Sequence, residues 1–180
     1  ISVETISDAI ASYEMTLISG NSKFDQWFYG KDNKAISDDA KKGFEIFAGK
    51  GNCIACHAVN KDHALFIDNK FHNTGIGYIN SMGAANKNGK KRVQLSPGNY
   101  VDVDVEIISS VNQQKLENDL GLYRVTENPN HRWLFRTPTL RNITETAPYM
   151  HDGSLHTLEE VVDFYDNGGH QNELLSPLIK

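Results

Sequence analysis

At 180 residues and 39% hydrophobic content, the chain can bury one good core, at most a domain with an inserted lobe, and not two domains of independent size. Eighteen Lys and Arg against 23 Asp and Glu leave a formal charge of -5, which argues against nucleic acid as a partner. No apolar run approaches the length that crosses a bilayer, so no membrane span is expected.

Val3, Ile6, Ile10, Tyr13 and Leu17 follow the three-and-four spacing of an amphipathic packing helix over residues 1–18. Residues 21–36 are polar and read as a connecting segment pinned by Phe24, Trp27 and Phe28. Ser37 reads as an N-cap, with Asp38 and Asp39 in a first turn where negative charge suits the helix dipole. Ala40, Phe44, Phe47 and Ala48 share a face of that helix, and Gly49 and Gly51 end it just before Cys53.

Both cysteines of the chain follow at once, in Cys53-Ile54-Ala55-Cys56-His57, the attachment pattern of a c-type haem. On a short helical turn the two sulfurs project to one side, where each can form a thioether with a vinyl group, and His57 can offer an imidazole nitrogen to the iron. Two other readings compete. A zinc site would combine Cys53, Cys56 and His57 or His63 with one more histidine. A redox dithiol would want a strand before the first cysteine, whereas the preceding residues read as a helix end. A disulfide across two intervening residues would be strained. Bacterial haem attachment takes place outside the cytoplasm, so the expected compartment is the periplasm, with an export signal removed or lying upstream.

Residues 58–77 read as loop, including His63 and Phe71-His72-Asn73-Thr74-Gly75-Ile76-Gly77. Residues 81–91 are rich in Gly, Asn and Lys and read as a solvated excursion, with Lys87, Lys90, Lys91 and Arg92 forming a basic surface. Val101, Val103, Val105 and Ile107 alternate with Asp102, Asp104 and Glu106, which predicts one short strand or flap over 100–108. Residues 118–129 are turn-rich. Between Arg132 and Gly153, Pro138 and Pro148 forbid a continuous helix, and Arg136 and Arg141 sit among residues that want burial. Such arginines need an anion, either haem propionates or the chain's own carboxylates. Thr157 with Glu160 is a capping box opening a helix whose Leu158, Val161, Val162 and Tyr165 share a face, closed by Gly168 and Gly169.

Taken in order, the haem motif, Phe71-His72-Asn73-Thr74-Gly75, Phe135-Arg136-Thr137-Pro138-Thr139-Leu140-Arg141-Asn142, Thr146-Ala147-Pro148-Tyr149-Met150-His151-Asp152-Gly153-Ser154 and Thr157-Leu158-Glu159-Glu160-Val161-Val162 resemble the C-terminal haem domain of bacterial di-haem cytochrome c peroxidases and MauG-type enzymes. The resemblance implies an all-α, mainly helical cytochrome c-like domain over residues 1–180, with long loops and a short β flap in an insertion over 78–116. It implies one covalent haem c in this chain and a second haem domain upstream, absent here. It places Tyr165 opposite His57 across the iron; Met150 is the rival ligand, His72 a more distant one, and an open site the remaining alternative. Thr146 and Pro148 fall where the family's calcium takes carbonyl ligands. The implied reaction is hydrogen peroxide reduction or peroxide-dependent oxidation of a protein partner, with electrons from a small cytochrome c, a cupredoxin or an oxidisable protein residue. The alternative is a stand-alone mono-haem electron carrier without catalysis.

The sixth ligand decides which of these holds. A thioether stabilises ferrous iron and raises the potential. A phenolate, whose parent phenol titrates near ~10, must lose its proton to bind and then favours ferric iron.

Overall fold

Ser2, Ser22 and Ser37 open the first three helices for one reason: each hydroxyl accepts a backbone N–H three residues on, from Thr5 at 3.2 Å, Asp25 at 3.3 Å and Ala40 at 3.1 Å. The helices are α1 (Val3–Glu14), α2 (Lys23–Phe28) and α3 (Asp38–Ala48). The protein is seen here as a computed structural model that describes residues 2–17, 19–82, 90–96, 99–104, 107 and 119–179. It divides into two units, residues 1–68 with 138–143, and residues 69–137 with 144–180.

In the first unit α1 is shorter than its pattern, and Val3, Ile6, Ile10, Tyr13 and Leu17 are exposed, so the burial expected of a packing helix is not realised. The segment read as a connector contains α2, because Ser22 and Asp25 form a reciprocal capping box that the ring content obscures in the sequence. The rings of α2 then pack on α3: Phe24 and Trp27 each lie 5.4 Å from Phe44 between centroids, and Phe24 stacks on Phe28 at 5.3 Å. A 3-10 turn, Cys53–Ala55, follows α3 directly.

In the second unit β1 (Phe71–His72) pairs antiparallel with β4 (Phe135–Arg136), with Phe71 opposite Arg136. Asn73 is 0% exposed and staples the chain: its side chain accepts from Gly75 N at 2.8 Å and donates to Asn172 Oδ1 at 2.9 Å. Gly75 has φ +92, and a Cβ there would run into the His170 backbone, so glycine is required before α4 (Ile76–Met82). The hairpin of β2 (Lys90–Ser96) and β3 (Asn99–Asp104) replaces the single expected strand, and its register sets Lys90 opposite Asp104 and Arg92 opposite Asp102. The end of the run read as a basic loop is therefore a strand. Lys87, Val105, Glu106 and Ile108, and with them much of the expected 78–116 insertion, lie outside the described residues.

The unit continues through α5 (Tyr123–Thr126) to α6 (Leu158–Asp166). The predicted capping box opens α6: the Thr157 hydroxyl accepts from Glu160 N at 3.1 Å, and Glu160 Oε2 accepts from Thr157 N at 3.1 Å. Thr157→Ala should therefore lower stability by about 1 kcal/mol, read as a shift of the urea midpoint at unchanged slope. Val162 is 66% exposed and does not share the half-buried face of Leu158, Val161 and Tyr165, which Phe164 completes instead. The described residues are helix-rich with two small two-stranded sheets, consistent with a cytochrome c-like domain, and the β1–β4 pair is an element that an all-α expectation with one flap omits.

Candidate haem site

The turn that carries the cysteines is built by its backbone. Asn52 sits in the left-handed region at φ 52, and the N–H groups of Cys56 and His57 both bond to the Cys53 carbonyl, at 3.2 and 2.9 Å. A Cβ on Gly51 would meet the Ile46 carbonyl oxygen at 2.9 Å, so only glycine lets the end of α3 pass this close to the turn. No disulfide joins Cys53 to Cys56. Burial raises the Cys53 thiol above its ordinary pKa, the opposite of what a reactive dithiol needs, and the preceding element is a helix rather than a strand. These observations weigh against the redox-dithiol reading. For the zinc reading, His63 has one ring nitrogen 2.7 Å from Asp62 Oδ1 and the other 3.0 Å from Asn60 Nδ2, so both are engaged on its own loop.

His57 is held by a carbonyl the sequence does not advertise: Nδ1 lies 2.8 Å from the Phe66 oxygen. A carbonyl only accepts, so the neutral ring carries its proton on Nδ1 and its lone pair on Nε2, the arrangement a metal-binding imidazole requires. Phe47 lies 6.5 Å from the His57 ring between centroids, and an apolar cavity of about 260 Å³ is lined by Phe24, Gly43, Phe44, Phe47 and Phe66. Among the described residues the buried hydrophobic side chains are Ala64, Ile76 and Trp133, few for a chain of this size. Two thiols and an oriented imidazole on one turn, beside an open aromatic wall, fit a thioether-linked haem.

Arg141 belongs to the same unit, and of its two possible anions it sits on the chain's own. Its guanidinium grips Asp25 in a bidentate pair at 2.6 and 2.7 Å, with the two side chains 11% and 16% exposed. Hydrogen bonding from Arg141 is the largest influence on the Asp25 carboxyl, which falls to about 2. Nothing in the sequence pairs Asp25 with Arg141, because their spacing carries no pattern.

The remaining candidates lie in the second unit. Arg136 is exposed on β4 and donates from Nη2 to Asn69 Oδ1 at 2.8 Å. Tyr165 is half-buried near the end of α6, its ring edge-on to Phe164 at 5.2 Å. Met150 is half-buried in the left-handed region at φ 67, inside the turn closed by the Tyr149–Leu155 bridge. Thr146 is exposed, and Pro148 follows a cis peptide bond. His72 Nδ1 lies 3.4 Å from Ser176 Oγ. His151, which carries no expectation from the sequence, stacks on Phe135 at 3.6 Å and lies 2.6 Å from Asp119 Oδ2.

No protein-family model matches the chain. A cytochrome-c peroxidase, IdrP2 of Denitromonas iodatirespirans, is 38% identical over 94% of this chain and 42% of its own length. The methylamine utilization protein MauG of Methylorubrum extorquens is 32% identical over 98% of this chain and 38% of its own length. Among solved structures, a MauG-like protein associated with microbial copper homeostasis superposes with a TM-score of 0.62 at 28% identity, covering 99% of this chain and 51% of that one. The chain thus spans about two fifths of the length of the curated relatives it matches.

Proposed function

Because the chain is a homologue of the cytochrome-c peroxidases and MauG proteins, we propose that it is the C-terminal haem domain of a di-haem oxidoreductase of that type, active toward hydrogen peroxide. The observation that carries this reading is the Cys53-Ile54-Ala55-Cys56-His57 turn with His57 Nδ1 on the Phe66 carbonyl. Cys53 and Cys56 form the thioethers, and His57 offers Nε2 to the iron. When bound, the haem supplies an iron that changes oxidation state and so stores or passes on single oxidising equivalents.

The polypeptide's part is to orient and to enclose. Phe66 fixes the imidazole tautomer, and the rings of Phe24, Phe44, Phe47 and Phe66 offer an apolar wall that keeps water from the porphyrin. Tyr165 is the proposed sixth ligand and Met150 its alternative, with Arg136 as the propionate partner. Thr146 and Pro148 are the proposed carbonyl ligands of a calcium ion shared with the second haem domain. The partners are that domain, hydrogen peroxide, and a small redox protein or an oxidisable protein substrate, in the periplasm. Among the described residues no helix is long and apolar enough to cross a membrane.

A purified chain made in a host competent for haem attachment should show a Soret band and one covalent haem per polypeptide by haemochrome assay. A colourless protein, or one that holds zinc through the thiols, would end the proposal. Tyr165→Phe should turn a low-spin ferric spectrum toward high spin while Met150→Leu leaves it unchanged, and the reverse pattern would move the ligand to Met150.

A further inference from the structure

We infer that Thr139 and Arg141 are positioning residues for the His57 imidazole, acting through three consecutive backbone carbonyls; the inference rests on the haem reading above. The Ala64 oxygen accepts from Arg141 Nε at 2.7 Å, the Leu65 oxygen from the Thr139 hydroxyl at 2.7 Å, and the Phe66 oxygen faces His57 Nδ1 at 2.8 Å. Residues 64–66 thus form a strap whose first two carbonyls are held by Arg141 and Thr139 and whose third faces the imidazole.

Two observations argue that the strap needs this grip. Phe66 sits in the left-handed region at φ 55, a conformation that an aromatic residue keeps only when its surroundings impose it. Ala64 is 0% exposed, so its carbonyl would lose both its donor and any access to water if Arg141 left. Arg141 is itself anchored, with Nη1 on Ser22 Oγ at 3.2 Å and on Asp25, Nη2 on Asp25, and its guanidinium 5.5 Å from the Phe66 ring centroid. Four of its five N–H groups are accounted for, and they tie the N-terminus of α2 to the strap.

The consequence falls on the iron. An Nδ1–H that donates to a well-placed carbonyl makes the imidazole a stronger donor through Nε2 and favours ferric iron. A slack strap weakens that bond and raises the midpoint potential.

The test compares the haem-loaded chain with Thr139→Val, which removes the hydroxyl at nearly constant volume, Thr139→Ser, which restores it, and Arg141→Lys, which keeps the charge but cannot span Ala64 and Asp25 together. Thr139→Val and Arg141→Lys should raise the midpoint potential and shift the ferric electron paramagnetic resonance signal, and Thr139→Ser should return both to the parent values. Variants that lose unfolding resistance while keeping the parent potential and signal would reduce both residues to structural supports and overturn the inference. A parent chain without covalent haem would remove the haem reading together with this inference, whereas a loaded parent with unmoved variants removes this inference alone.

Discussion

A chain carrying Cys53→Ala and Cys56→Ala is expected to yield no covalently bound haem: any Soret absorbance should leave with acidified acetone, and the denatured band should show no haem stain. The effect should be near-total because the thioethers are the only covalent tether proposed, and they lie on one turn whose geometry no neighbouring residue can replace. Stability should fall as well. The aromatic wall of Phe24, Phe44, Phe47 and Phe66 would face water, and the described polypeptide has few other buried hydrophobic side chains on which to draw. A double variant that retains haem through denaturation would show that the attachment lies elsewhere. His57→Gly separates tether from ligation: the haem should stay attached, its ferric spectrum altered, and exogenous imidazole should restore the parent spectrum.

Breaking the Asp25–Arg141 pair should be the costliest change in the first unit outside the haem turn. Removing one partner of a desolvated bidentate pair leaves the other charge without compensation, so Asp25→Ala should cost about 3 kcal/mol in urea unfolding. The pair also gives stability a pH signature. The Asp25 carboxyl has an ordinary value of 3.8 and titrates at about 2 in the folded chain, so between those values the unfolded chain binds more protons. The stabilisation is complete above about pH 4, and about 2 kcal/mol of it is lost as pH falls toward 2. Asp25→Asn should flatten the stability profile across that window, so that variant and parent converge at its acid end. Parallel profiles would show that the guanidinium does not hold this carboxylate.

What could be read from the residues alone follows from how local the physics is. The α3 cap at Ser37, the glycine end before Cys53, the short helical turn that carries the cysteines and the Thr157–Glu160 box all depend on neighbours within a few positions, and each has the predicted local form. The α2 box at Ser22 and Asp25 is just as local, but the aromatic content of its segment masks it. The β2 strand is hidden for another reason: Lys90 and Arg92 resemble a solvated loop until β3 is set beside them.

Other features are invisible in principle from one chain read in order. Asp25 and Arg141 are 116 positions apart, Thr139 and Leu65 are 74 apart, and nothing in either member of a pair announces the other. The hydrogen bond that assigns the His57 tautomer comes from a backbone carbonyl, a group every residue possesses, so side-chain chemistry cannot point to Phe66. Sequence by itself determined a short helical turn that offers two thiols and an imidazole within five residues, because turn geometry is short-range. Tertiary structure alone decided what steadies the imidazole and which anion Arg141 meets, because those choices depend on chain segments that only folding brings together.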